Sequence, residues 1–174
     1  MTNLKICILL ILALTLGACT STKSTNMLGN YALKLNEDEW NGTWVIENEA
    51  YQIKVINPDF GIMQSISIED GKIKKHRIFA TQSGDDKYIN LVAPDKRFFF
   101  AKFKKEQNSV IVWLPSKEML KKAIENSEIE GKVDKDDNVL ITASGKAFSE
   151  FMKTNKNMMM FEYENPGIFK RLVK

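Results

Sequence analysis

Three clusters of carboxylates have the spacing that could do chemistry in this 174-residue chain: Glu37-Asp38-Glu39, Asp85-Asp86 and Asp134-Lys135-Asp136-Asp137. Two carboxyl groups held about 5 to 9 Å apart can cleave a glycosidic bond, one donating a proton while the other attacks or activates water. Each cluster falls in an expected turn, however, and turn aspartates bond nearby backbone amides and face water. A carboxylate-based hydrolase is therefore kept only as a third reading. Residues 134–138 have neither the central glycine nor the distal glutamate of an EF-hand loop, which argues against calcium. His76 is the sole histidine and sits between Lys75 and Arg77, where it reads as a surface residue with no second histidine to share a metal. The chain contains no Gly-x-Ser-x-Gly, no phosphate-cradling glycine loop and no His-Glu-x-x-His. This inventory points away from an enzyme, and no metal or cofactor is expected.

Two stretches mix cations with apolar residues: Lys72-Ile-Lys-Lys-His76-Arg77 and Arg97-Phe-Phe-Phe-Ala-Lys-Phe-Lys-Lys105. Basic grooves with interleaved aromatics hold single-stranded nucleic acid. Here the lysines at 102 and 104 alternate with Ala101 and Phe103, as the solvated face of a strand must. The formal charge of +3, from 25 basic and 22 acidic side chains, is also small. No nucleic-acid partner is expected, and weak attraction to anionic lipid heads is the better use of surplus lysines. Phe99 and Phe103 share the other face of the same strand. They are the candidate lining of a ligand cavity, although an aromatic stripe on a strand more often fills a core.

The elements that must position these residues are mostly strands. Residues 51–55 (Tyr-Gln-Ile-Lys-Val) alternate apolar and polar, as do Ile66-Ser-Ile68 and part of 99–103, while Val110-Ile-Val-Trp-Leu114 is a short β-branched run. Tight reversals are predicted at Asp70-Gly71, at residues 83–86 (Ser-Gly-Asp-Asp) and at Glu106-Gln107-Asn108. After Pro115 the apolar spacing changes to three and four residues, with Ser116 as N-cap of one short helix. Ser144 opens a second helical pattern through Ala147, Phe148, Phe151 and Met152. Met158 to Tyr163 is expected to supply a closing strand.

The amino terminus stands apart from this pattern. Lys5 precedes an apolar run, Ile6 to Leu16, that is shorter than the roughly 20 residues needed to span a bilayer and ends in small residues. Leu16-Gly17-Ala18-Cys19 resembles the lipobox of bacterial lipoproteins. That resemblance implies cleavage before Cys19, lipid on its sulfur and an acylated amino group. The two-chain anchor it implies is stable where a single chain is marginal. Residues 1–18 are then a signal peptide. Because Cys7 leaves with it and Cys19 carries lipid, the mature chain has no disulfide. Residues 19–30 are polar and aperiodic and are expected to form a lipidated flexible tether, leaving 31–174 as one β-rich globular domain. Thr20 after the cysteine resembles the sorting pattern for the outer membrane of two-membraned bacteria; with a single membrane the address would be the plasma membrane.

Gly42 and Trp44, at the start of the first long strand, resemble the Gly-x-Trp kernel of lipocalins, whose glycine turns the chain at the closed end of a barrel and whose tryptophan plugs it. With the hairpins and late helices, this implies an α+β, β-dominated fold: an antiparallel meander of about eight strands in a small lipocalin-like barrel, with one or two short helices near the C-terminus. Such a barrel is either filled or just wide enough for one small ligand. The first functional reading is an envelope-anchored binder of a small apolar ligand, with a cavity of several hundred Å³. The alternative is an envelope interaction module with a filled barrel, docking a protein partner through an exposed patch such as Met158-Met159-Met160-Phe161.

Overall fold

A computed structural model describes residues 21–69, 71–155 and 159–172. The signal segment, Cys19, Asp70 of the expected Asp70-Gly71 reversal and Met158 lie outside the described residues. In chain order the elements are β1 (Thr22–Ser24), β2 (Tyr31–Ala32), α1 (Glu37–Trp40), β3 (Gly42–Ile46), β4 (Glu49–Asn57), β5 (Ile62–Glu69), β6 (Lys72–Ser83), β7 (Asp86–Val92), β8 (Phe98–Glu106), β9 (Ser109–Trp113), α2 (Lys117–Glu125), β10 (Gly131–Val133), β11 (Val139–Ile141), α3 (Gly145–Thr154) and β12 (Gly167–Arg171).

From β3 to β9 each strand pairs antiparallel with the next. β12 pairs with β9 on one side and β3 on the other, which closes an eight-stranded antiparallel barrel of lipocalin-like form. The turns fall where turn chemistry places them. Glu69 pairs with Lys72, with Gly71 at φ +72° just before that lysine, and Ser83 faces Asp86 across Gly84 at φ +61°. The closing strand is Gly167–Arg171, which corrects the expectation of residues 158–163. Met160 and Phe161 are buried in a second core instead, and Phe161 makes only an isolated bridge to Pro115.

Period-two alternation divides β8 between two cores. Phe99, Ala101 and Phe103 face the barrel interior with Trp44, Val55, Met63, Ile78, Leu91, Val110 and Val112. Phe100 faces outward, meets Phe148 of α3 edge-on at 5.1 Å, and belongs to a second core beneath α2 and α3. Both late helices start where expected: the hydroxyls of Ser116 and Ser144 accept from the amides of Met119 and Ala147. Residues 37–40 form helix α1 rather than the expected turn: Asn36 caps it, and Glu37, Asp38 and Glu39 form its first turn, where negative charge suits the helix dipole.

The expected tether is instead part of the domain. β1 pairs in parallel with β11 and meets β8 where Ser24 faces Phe98. Leu28 is fully buried. Its amide donates to Asn90 Oδ1 at 2.8 Å and its carbonyl accepts from Asn90 Nδ2 at 3.1 Å. Polar residues 22–30 are thus held by backbone pairing and by polar side chains on the outer barrel wall. Every described element and both cores lie within residues 21–172.

Candidate functional site

One end of the barrel is closed by the residues that resembled a lipocalin kernel. Gly42 adopts φ +143°, and a side chain there would meet the Arg171 guanidinium at 3.1 Å. Arg171 faces Trp44 across β12 and β3, and its Nη2 donates to the Asn41 carbonyl at 2.6 Å. Trp44 is buried, donates from Nε1 to the Trp40 carbonyl at 2.8 Å, and packs 5.9 Å from the Trp40 ring. Phe103 meets Trp40 edge-on at 5.7 Å. Helix α1 and three large rings therefore form the plug.

Above the plug is an apolar cavity of about 70 Å³. Its wall includes Trp44, Ile53, Met63, Ile89, Ala101, Val112 and Phe169, and no charged side chain lines it. Phe99 and Phe103 do face inward, but neither lies on this wall. The space sits over Ala101, where the side chain is small; Phe103 fills the barrel below it. Phe99 is half-buried beneath the Lys23 ammonium, 4.9 Å from the ring centroid. The small residue between two large ones was the overlooked sequence signal for the void.

Toward the other end, the inner wall of β4, β5 and β6 turns polar. Tyr51 donates its hydroxyl to Glu49. Ser65 faces His76 and Ser67 faces Lys74 across β5 and β6. His76 is therefore on the inward row with Ile78 and Ala80 and is half-buried, which corrects the reading as a surface residue. The Ser65 hydroxyl is fully buried and finds no protein partner among the described residues. It stands beside Ile53, a cavity-wall residue, where the lining passes from apolar to polar.

The carboxylate clusters are not brought together. Asp86 pairs with Lys102 at 2.8 Å. Burial, which disfavours the Lys102 charge, is outweighed there by hydrogen bonds to Asp86 and Tyr163, and Lys102 titrates above its ordinary range. Asp134 accepts from the amides of Asp136 and Asn138, a turn cap, and its pKa is lowered by the Asn138 side-chain and backbone bonds. Asp137 is bridged by Lys117 and Lys121, whose hydrogen bonds bring its pKa down to about 2. Glu39 pairs with Lys105 at 3.4 Å beside a broad polar basin of about 640 Å³ outside the plug. That basin mixes both charges and opens to solvent, so the apolar cavity is the more selective site.

An eight-stranded barrel with a plugged end and an apolar interior defines a lipocalin-like class of β-barrel. Searches with family models, curated proteins and solved structures found no match to this chain.

Proposed function

We propose that this protein is a lipid-anchored barrel of the bacterial envelope that takes a small apolar or amphipathic ligand, its apolar part in the cavity and its polar group at Ser65. The buried Ser65 hydroxyl carries this reading. A buried hydroxyl without a hydrogen bond costs about 1 to 3 kcal/mol, and a ligand polar atom or water removes that cost. The apolar wall below it favours a hydrocarbon portion. Ligand size is limited: about 70 Å³ is well under the roughly 300 to 1,000 Å³ of sites for drug-sized molecules. Met63, unbranched and flexible, is the wall residue best suited to enlarge it.

That volume also favours a second reading, a barrel filled by its own side chains and acting through its surface on another envelope component. Native mass spectrometry of protein purified from its own host's envelope separates the two. A stoichiometric adduct lost on denaturation supports the binder; a clean mass rejects it and supports the filled barrel. The lipid anchor on Cys19 and the outer-membrane address rest on residues 16–20, and a non-catalytic role on the separate local engagements of the carboxylates.

A further inference from the structure

The β5–β6 hairpin outruns the barrel. β4 follows β5 only as far as Ile66, and β7 follows β6 only from Ile78 onward. The last three cross-strand pairs, Ser67–Lys74, Ile68–Ile73 and Glu69–Lys72, therefore have no third strand among the described residues. At about 3.3 Å per residue they extend roughly 10 Å beyond β4. A two-stranded ribbon is marginal in water unless something covers it. Its outer face begins with Ile68 and Ile73, 76% and 68% exposed and directly opposite each other. Behind them on the same face come the pairs Ile66–Lys75 and Gln64–Arg77. This face has two apolar residues at its tip and two cations one and two pairs behind.

We propose that this ribbon tip enters the headgroup region of an anionic membrane, with Ile68 and Ile73 at the acyl boundary and Lys75 and Arg77 on lipid phosphates. The spacing fits that occupant. Lys75 is two residues, about 7 Å, behind Ile73, close to the depth at which interfacial elements bury their apolar side chains. The described chain also begins on this rim, where Lys23 pairs with Asp95 in the β7–β8 turn at 2.9 Å. Cys19 precedes Ser21 by two residues, a reach of about 7 Å at most. A lipid there would bring the same rim to the bilayer, yet the ribbon's contact stands on its own residues.

The test uses the chain from Ser21 onward, which lacks Cys19 and retains every described element, sedimented with phosphatidylglycerol–phosphatidylcholine vesicles or with phosphatidylcholine alone. Binding to the anionic vesicles that weakens with salt is expected. Ile68→Ser with Ile73→Ser should weaken it at least about tenfold, and Lys75→Gln or Arg77→Gln about fivefold each, with melting points unchanged. Phe60→Ser, which removes an exposed ring at the plugged end, should leave binding as it is. Equal binding to both vesicle types overturns the proposal, as does equal loss in Phe60→Ser and the double isoleucine variant. Absence of vesicle binding also overturns it and would turn attention to a protein that pairs with the ribbon's free edges. Because this chain has no Cys19, none of these outcomes bears on lipidation.

Discussion

Asn90→Ala tests whether residues 22–30 are structural. In the native protein Asn90 is fully buried and accepts from the Leu28 amide while donating to the Leu28 carbonyl and to Thr81 Oγ1. Truncation leaves that amide buried without its acceptor, about 1 to 3 kcal/mol. The carbonyl keeps its bond from the Thr81 hydroxyl, so its loss is small. The void left by the amide group adds about 1 kcal/mol. The expected destabilisation is about 2 to 4 kcal/mol, or roughly 5 to 12 °C in melting temperature for a domain of this size. Circular dichroism on heating measures it. Hydrogen exchange at the Leu28 amide is the second readout: protected in the native protein, it should exchange by local opening in the variant. A melting point within about a degree of the native one, together with a Leu28 amide that already exchanges freely before mutation, would refute the structural role.

Four further outcomes are expected. Trp44→Phe keeps a ring in the plug but leaves the Trp40 carbonyl without its 2.8 Å donor, costing about 1 to 3 kcal/mol in a denaturant titration. Ser65→Ala removes an unbonded buried hydroxyl and should raise the melting point of the ligand-free protein; a lower one would show that this oxygen already has a partner. Asp137 has a folded pKa of about 2, below its unfolded value of 3.8, so its contribution to stability is present above the unfolded value and lost as pH falls through about 2. An NMR titration should find that carboxyl still ionised at pH 3, and Asp137→Asn should flatten this part of the acid limb. Cys19→Ala should let a high-salt wash, which weakens the ribbon's ionic contacts, move the protein from the membrane to the soluble fraction; a variant that stays as firmly bound in high salt would sink the lipoprotein reading.

Local chemistry was the legible part of the fold. Ser83-Gly84-Asp85-Asp86 set a turn, Ser116 and Ser144 capped helices, and Gly42-x-Trp44 marked the plugged end, because each acts within a few residues of itself. What stayed hidden depended on partners far along the chain. Residues 22–30 show no apolar period, since β1 is held by backbone pairing with β11 and Leu28 by backbone hydrogen bonds with the Asn90 and Thr81 side chains, which composition does not reveal. The run at 158–163 looked more strand-like than Gly167-Ile-Phe-Lys-Arg171, but Met160 and Phe161 were claimed by the second core. His76 looked solvated among cations, although counting back in twos from Ile78 places it inside. The site was half legible: β8 was the right strand, yet the space was at its alanine rather than its phenylalanines.

The order in which the chain is made sets a problem for assembling this barrel. The seven strands from β3 to β9 can zip together in sequence as they emerge, because each hairpin is local. The resulting sheet still has two raw edges, β3 and β9, until Gly167–Arg171 inserts between them. That strand follows both late helices, and the Trp44–Arg171 pairing spans well over half of the chain. Such long-range closure is slow, and unpaired edges are templates for another copy of the same sequence. A chain truncated before Gly167 would be left with these edges open, prone to sheet-to-sheet aggregation even with its hairpins formed.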